Sequence, residues 1–195
     1  MGKIYFVLGK SSSGKDTIFS KLKENKDLQL KTVVGYTTRP MRAGEQEGVE
    51  YFFVSSDRLE ELEESGRVIE CRHYNTVHGI WSYFTVDDGQ IDLKKGDYLY
   101  IGTLESFNDM VKYYGKESVV PIYIEVENGE RLERAVRRER QQSEPKYAEL
   151  CRRFLADEED FSEEKIGEAG IHRRFQNIVL EDCIVEITEM IQGKQ

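Results

Sequence analysis

The chain has 195 residues, which suits one domain or one core with small inserted subdomains. Its net charge of −9 argues against a binder of nucleic-acid polymers, because such proteins need an excess of basic residues to hold phosphates. The three cysteines (Cys71, Cys151 and Cys183) are too widely spaced for a disulfide or zinc framework, so we expect a cytoplasmic protein. The first apolar run has only five residues before Gly9, too few to span a membrane, and we expect no membrane association.

Short apolar strands alternate with amphipathic helices along the whole chain. The predicted strands cover residues 4–8, 31–36, 51–54, 68–71, 97–102, 119–126 and 177–180. The predicted helices cover residues 17–23, 57–64, 105–114, 131–142, 147–159 and 185–192. Strands that alternate with helices favour a parallel sheet with helices on both faces, so the predicted fold class is α/β.

The strongest motif lies between the first predicted strand and the first predicted helix. Its residues, Gly9-Lys10-Ser11-Ser12-Ser13-Gly14-Lys15, match the pattern G-x-x-x-x-G-K. Glycines let the backbone turn so that amide N–H groups converge on phosphate oxygens, and the helix that follows directs its positive end at the same anion. Lys15 adds a full positive charge. The motif predicts the phosphate loop of a P-loop NTPase core that binds ATP; the alternative is a polar turn with a chance match.

The next two residues, Asp16 and Thr17, are the candidates for binding magnesium. Asp16 stands where this motif normally has a Ser or Thr hydroxyl, and Thr17 follows it. A carboxylate suits both magnesium and the start of a helix. Both residues therefore remain candidates for the Mg²⁺ that accompanies ATP.

The segment that starts at Tyr36 reads Y-T-T-R-P-M-R-A-G-E-Q-E-G-V-E-Y-F-F-V. It resembles the guanylate kinase family, whose pattern is T-T-R-x-x-R-x-G-E followed by G-x-x-Y-x-F-V. The resemblance implies an enzyme that uses ATP and Mg²⁺ to phosphorylate GMP or dGMP to the diphosphate by direct in-line transfer. It also implies that Arg39, Arg42 and Tyr51 bind the phosphate of GMP, and guanidinium groups do suit a phosphate dianion. The alternative for these residues is a solvated basic turn and a core tyrosine.

Glu70 is the candidate reader of guanine, because a family strand of this type carries a glutamate that accepts hydrogen bonds from the base. An acceptor-only carboxylate favours guanine over adenine. The chain departs from the family pattern nearby. Gly35 stands where the family usually has Ser, His78 lies where a Tyr is expected, and Tyr100 and Gly102 replace two acidic residues.

Two arginine-rich helices are expected to form a lid. Arg134 and Arg138 are four residues apart and therefore share one helical face. The second helix contains Arg153 in a segment similar to one of the family. The resemblance implies that these three arginines are catalytic and neutralise the transferring phosphoryl group. The alternative is a solvated helix with internal ion pairs.

The resemblance runs through nearly the whole chain and implies one guanylate-kinase-like domain. We expect a P-loop core (residues 1–34, 88–127 and 162–195) with an acceptor-binding insertion (35–87) and a lid insertion (128–161). ATP and GMP are the expected partners, and the chain would be a monomer or a homodimer. The alternatives are a small-molecule kinase of the same fold with another acceptor, such as a ribose bisphosphate kinase, and a non-catalytic binding domain.

Overall fold

The computed structural model describes residues 1–76 and 79–194. The strands are β1 (Ile4–Leu8), β2 (Lys31–Thr32), β3 (Gly35–Thr37), β4 (Tyr51–Phe53), β5 (Val68–Thr76), β6 (Gly79–Val86), β7 (Tyr98–Ile101), β8 (Val119–Glu125) and β9 (Arg174–Gln176). The helices are α1 (Lys15–Glu24), α2 (Ser56–Glu64), α3 (Leu104–Tyr114), α4 (Asn128–Glu139), α5 (Tyr147–Asp160), α6 (Glu163–Glu168) and α7 (Leu180–Ile191).

The main sheet has five strands in the order β2-β7-β1-β8-β9, and all its pairings are parallel. Every residue of β1 is buried. Ile4, Phe6 and Leu8 face a core shared with α3 and α6, whereas Tyr5 and Val7 face a core shared with α1 and α7. The predicted α/β fold with helices on both faces of a parallel sheet is therefore confirmed, and the continuous apolar run of β1 follows from burial on both sides.

A second sheet of four strands, in the order β4-β3-β6-β5, is formed between residues 35 and 86. The strand β3 pairs parallel with β4 and antiparallel with β6, which pairs antiparallel with β5. Leu59 and Leu62 of α2 pack against Phe84 and Val86 of β6. This sheet also meets the core, because α3 packs against β5.

Three of the strand predictions were wrong. The single strand predicted over 31–36 is two strands in different sheets, because the chain leaves the main sheet after Thr32 and enters the second sheet at Gly35. The long strand β6 was missed. The last strand is β9 and not residues 177–180. Strand β9 has three residues, of which only Phe175 is buried, so it is too short to show an alternation of buried and exposed side chains.

The helix predictions located every long helix and missed the short α6. The closing helix begins at Leu180 and not at residue 185, because Leu180, Cys183 and Ile187 form its buried face. None of the helices in the described residues combines the length with the apolar composition that crossing a membrane requires. The proposed division into core, acceptor and lid segments stays a prediction.

We expect Ile122→Ala to lower the free energy of unfolding by about 2–5 kcal/mol, because Ile122 is fully buried in β8 and its loss leaves a cavity. The matched control Ile178→Ala removes a side chain that is 80% exposed and should change stability by less than about 0.5 kcal/mol. Urea denaturation followed by circular dichroism measures both. Equal losses in the two variants would contradict the assignment of β8 to the core.

Candidate active site

The phosphate loop (residues 9–14) connects the C-terminal end of β1 to the N-terminus of α1. A Cβ on Gly9 would lie 2.5 Å from the carbonyl oxygen of Ile124, and a Cβ on Gly14 would lie 2.3 Å from Nδ2 of Asn177. Gly14 also has a φ of 86°, which favours glycine. Both glycines are therefore required by close approaches of the backbone. Ser12 adopts a φ of 63°, an uncommon conformation for a residue with a side chain.

Asn177 supports this loop from the segment between β9 and α7. Its buried side chain donates from Nδ2 to the carbonyl oxygen of Ser13 at 2.7 Å, and its backbone N–H donates to Glu125 at 2.9 Å. Arg134 in turn donates from Nη2 to the carbonyl oxygen of Asn177 at 3.0 Å. Asn177 could not be identified from the sequence, because it lies 164 residues from its partner and belongs to no motif.

Two carboxylates of α5 contact the loop, and neither was predicted. Asp157 accepts a hydrogen bond from the backbone N–H of Ser11 at 2.9 Å and one from its hydroxyl at 3.3 Å. Glu158 accepts one from Nζ of Lys10 at 2.9 Å. The buried Arg131 donates to both carboxylates, at 3.3 and 2.7 Å. Asp157 thus holds one of the backbone amides that the motif assigns to phosphate.

Arg153 and Arg138 lie beside the same loop, whereas Arg134 is linked to it through Asn177. Arg153 donates from Nη2 to the hydroxyl of Ser11 at 3.2 Å. Arg138, Arg153 and Ser12 are among the residues that line a cavity of about 180 Å³ at this point. Arg134 is held by Glu130 at 2.8 Å and reaches the loop only through Asn177. The structure therefore brings two of the three predicted lid arginines to one cavity.

Two of the three loop hydroxyls, those of Ser12 and Ser13, lack a protein partner in the part of the chain that the structure describes. Among the described residues, the Oγ atoms of Ser12 and Ser13 are buried and make no hydrogen bond. A buried polar group normally has a partner. A bound phosphate or an ordered water would supply these partners.

Lys15, Asp16 and Thr17 form the first turn of α1. Lys15 Nζ lies 3.4 Å from Asp16 Oδ2. The carboxylate of Asp16 is 83% exposed, and Thr17 is exposed as well. Magnesium commonly takes one or two carboxylates and completes its shell with substrate phosphates and water. The oxygen donors at the start of α1 fit this chemistry.

On the acceptor side, most N–H groups of the Arg39 guanidinium donate hydrogen bonds to other residues of the protein. It is 3% exposed and forms a two-pronged ion pair with Glu45, at 2.7 and 2.6 Å. It also donates to the hydroxyl of Tyr83 at 3.1 Å and to the carbonyl oxygen of Pro40 at 3.0 Å. These contacts use four of the five guanidinium N–H groups. The hydrogen bonds from Arg39, the largest cause, lower the pKa of Glu45 to about 2.

Tyr51 and Arg42 flank this ion pair. The guanidinium of Arg39 lies 5.3 Å from the centre of the Tyr51 ring, which contacts Tyr83 edge to face. Burial raises the pKa of Tyr51. Arg42 is exposed, and its backbone N–H donates to Glu45 at 2.8 Å. Glu45 therefore fixes both arginine positions, a role that the sequence analysis did not assign to it.

Glu70 lies at the junction of the second sheet with the main sheet, and its side chain is fully buried. One carboxylate oxygen accepts a hydrogen bond from Arg72 at 3.0 Å, and the other accepts one from the Thr85 hydroxyl at 2.6 Å. Burial raises the pKa of Glu70, while Arg72 and Thr85 act in the opposite direction. Because Thr85 donates its proton to Glu70, Tyr100 must donate to Thr85, at 2.5 Å.

The departures at Gly35 and Gly102 have different steric settings. A Cβ on Gly35 would lie 3.5 Å from the Tyr100 hydroxyl, an ordinary contact distance, so a small side chain fits there. A Cβ on Gly102 would lie 2.4 Å from Ser106 Oγ and 2.7 Å from the Phe6 ring, so no acidic side chain fits there. His78 lies outside the described residues, so the structure does not test the prediction for it.

The loop and the Glu70 cluster lie at the same edge of the main sheet. The strands β1 and β7 are parallel neighbours, and the backbone N–H of Gly102 donates to Val7 at 3.1 Å. Both strands therefore end at the carboxyl edge, where ligands of open α/β sheets bind. The structure places a phosphate loop, cationic side chains and a buried carboxylate along this edge.

Comparisons with known proteins agree with this arrangement. A family model described as guanylate kinase matches residues 1–86. A guanylate kinase of Aliivibrio fischeri is 36% identical over 93 residues, or 45% of this chain, and the chain spans only 45% of that relative's length. A solved structure of guanylate kinase from Anaplasma phagocytophilum has the same fold, with a TM-score of 0.64 at 23% identity, over 100% of this chain and 86% of that one.

A guanylate kinase of Fusobacterium nucleatum is 30% identical over 139 residues, which cover 70% of this chain and 71% of that protein. A match of this length includes residues from both halves of the chain. The sequence match to this relative, together with the shared fold, shows that the chain belongs to the guanylate kinase family.

Proposed function

We propose that this protein transfers the γ-phosphate of ATP to GMP or dGMP by direct in-line transfer. The observation that carries the proposal is the meeting of Ser11, Arg138 and Arg153 at one cavity beside the phosphate loop. The transition state of phosphoryl transfer spreads negative charge over oxygens, so catalysis requires positioned cations and N–H donors. Ser11 and the two arginines come from three separate elements, and a polar turn or a solvated helix does not explain why they meet.

In this proposal the phosphate loop, Gly9 to Gly14, binds the phosphates of ATP through its amides and hydroxyls. Lys15 supplies a positive charge at the β- and γ-phosphates. Arg138 and Arg153 stabilise the transferring group, and Arg134 joins them when the lid is closed over ATP. Asp157 must leave the Ser11 amide when ATP binds, because one N–H cannot serve both anions.

Magnesium would be held at the start of α1 by Asp16. A carboxylate beside phosphates is favourable only with a cation between them, and the side chain of Asp16, which contacts Lys15 at 3.4 Å, is exposed to solvent. Thr17 is the alternative ligand, but a helix turns by about 100° per residue, which directs its side chain well away from that of Asp16. Bound there, Mg²⁺ would supply positive charge that offsets the negative charge of the ATP phosphates.

For the acceptor phosphate, the proposal assigns the larger share to Arg42. Arg39 has most of its N–H groups engaged with Glu45, Tyr83 and Pro40, so it offers about one further donor. The Arg42 side chain is exposed. Tyr51 completes the set with its phenol. The ion pair with Glu45 then acts to orient Arg39 for this single contact.

Glu70 would read the guanine base. Its carboxylate accepts one hydrogen bond on each oxygen, and each oxygen has a second lone pair for a guanine donor. Because the side chain is fully buried, the second sheet must open from β7 to admit the base. The alternative is a kinase with another acceptor, such as a ribose bisphosphate, and the departures at Tyr100 and Gly102 are its support. The retained Lys15 of the phosphate loop argues against a non-catalytic binding domain.

A coupled assay with ATP and Mg²⁺ tests the proposal directly, with GMP, dGMP, AMP and a ribose bisphosphate as acceptors. We expect turnover with GMP or dGMP and little with the others. Turnover of the ribose bisphosphate alone would establish the alternative. ATP binding without transfer to any acceptor would indicate a binding domain.

We expect Lys15→Ala to lower kcat by about 10³-fold or more, the loss expected for a cation that stabilises the transferring group. The control Lys23→Ala removes an exposed lysine of the same helix and should leave kcat unchanged. Circular dichroism checks that both variants fold. Activity of Lys15→Ala within about threefold of the unchanged protein would exclude its catalytic role.

We expect Asp157→Asn to lower the KM for ATP by about threefold or more, because the neutral amide is a weaker competitor for the Ser11 N–H than a carboxylate. A hydrogen bond to a charged group contributes roughly 1.5–3 kcal/mol, of which only part is recovered here. The exposed Asp160 of the same helix gives the control Asp160→Asn, with an unchanged KM. A higher KM in Asp157→Asn would show that Asp157 assists ATP binding.

We expect Glu70→Gln to reduce the ratio of kcat/KM for GMP over AMP by about tenfold or more, since an amide accepts only one of the two guanine bonds and presents a donor to the other. Thermal unfolding of the variant separates this effect from a loss of structure. A variant with a lower Tm and an unchanged ratio would make Glu70 a structural partner of Arg72 only.

A further inference from the structure

Three side chains that commonly ligate metals meet on the second sheet, away from the phosphate loop. Glu63 lies near the C-terminal end of α2, and Cys71 and His73 lie on β5. The two strand residues are two positions apart and therefore project from the same face of the sheet. One ligand atom from each of the three residues lies within 4.8 Å of the other two.

The spacing of the sulfur and the nitrogen fits one shared ion. Cys71 Sγ lies 3.7 Å from His73 Nε2. Zinc binds thiolate sulfur at about 2.3 Å and imidazole nitrogen at about 2.0–2.1 Å in tetrahedral geometry. These bond lengths place the two ligand atoms about 3.6 Å apart. The pair therefore needs almost no movement to bind the ion.

A second observation orients the histidine. Its Nδ1 lies 2.8 Å from Oγ of Ser82, which is 4% exposed and lies opposite His73 on β6. Ser82 is itself fixed, because its backbone N–H donates to the Thr38 hydroxyl at 2.9 Å. A metal-binding histidine characteristically has its other ring nitrogen held by such a partner. In the tautomer in which Nδ1–H donates to Ser82 Oγ, Nε2 carries the lone pair that a metal needs, 3.7 Å from Cys71 Sγ.

We propose that Glu63, Cys71 and His73 bind a divalent transition-metal ion, with Zn²⁺ the best match, and with water in the fourth position. A set of one sulfur, one nitrogen and one oxygen selects zinc-like ions over magnesium. Cys71 binds as the thiolate, so its proton passes to solvent when the ion enters. Glu63 and His73 are exposed, which gives the ion a path from solvent. The ion joins α2 to β5, and it is separate from any magnesium at Asp16.

Cobalt(II) is the probe, added to the full chain after reduction and removal of metal with a chelator. We expect one equivalent of Co²⁺ to give a thiolate charge-transfer band in the near ultraviolet and the intense visible bands of tetrahedral cobalt. Zn²⁺ should remove these bands, and excess Mg²⁺ should leave them unchanged. Zn²⁺ should also raise the Tm, because an ion that binds only the folded state stabilises it.

Variants identify the ligands. Cys71→Ser should abolish the charge-transfer band, and Glu63→Gln and His73→Gln should each weaken Co²⁺ binding at least about tenfold, the lower end of what even outer-shell changes cost. The chain provides matched controls in Cys151→Ser and His172→Gln, both at exposed residues, which should bind as before. Glu63 is exposed, so its variant tests the site even if Cys71→Ser unfolds.

Two results would overturn the proposal. One is a protein that gives no charge-transfer band with Co²⁺ at millimolar concentration and no rise in Tm with Zn²⁺. The other is a band that survives in Cys71→Ser or disappears in Cys151→Ser, since the ion would then be held by another cysteine. Neither result depends on the proposed kinase activity.

Discussion

The close passage of the phosphate-loop backbone against its neighbours is the constraint on which the rest of the site depends. Gly9 lies against the carbonyl of Ile124, and Gly14 lies against the side chain of Asn177, at distances that leave no room for a Cβ. Because β1 is buried on both faces, the loop leaves the sheet at a fixed point and direction. Asn177, which follows the edge strand β9, then holds the loop by its hydrogen bond to Ser13. Through it the loop is also joined to Arg134 of α4.

The charges around this loop explain how an acidic protein can bind an anion. The net charge of −9 belongs to the surface as a whole, whereas the loop brings together Lys10, Lys15 and Arg153. Asp157 and Glu158 balance these cations in the structure described here. A carboxylate that accepts from a loop amide resembles the phosphate that we propose for this position. Helix α5 is therefore held against the loop by the same kind of hydrogen bond that the proposed nucleotide binding would use.

Side chains from three strands pair around the buried carboxylate of Glu70, the proposed base site. Tyr100 lies beside Gly35, and its hydroxyl donates to Thr85, which in turn donates to Glu70. Arg72 offsets the charge of the buried carboxylate. A buried carboxylate is tolerated because both its oxygens are paired. The family pattern has acidic groups where this chain has Tyr100 and Gly102, and here the Tyr100 phenol is hydrogen-bonded to Thr85 instead.

The sequence by itself determined the features that depend on local periodicity and local backbone chemistry. These are the doubly covered parallel sheet, the helices and the glycine-rich loop after β1, because an apolar run or a G-x-x-x-x-G-K motif is complete within a few residues. The same local signals do not identify short strands. They predict the last strand at residues 177–180 and not at β9, and they predict one strand where the structure has β2 and β3. The roles predicted for the arginines and for Glu70 remain predictions.

Only the tertiary structure decided which distant residues meet. Asn177 lies 164 residues from Ser13, and Asp157 lies 146 residues from Ser11, so no spacing in the sequence relates them. The engagement of Arg39 by Tyr83 and the approach of Glu63 to Cys71 and His73 likewise require the strands and α2 to be packed first. Local patterns specify what a segment can become. Contacts between segments are set by the burial of their apolar faces against one another, which involves the whole chain at once.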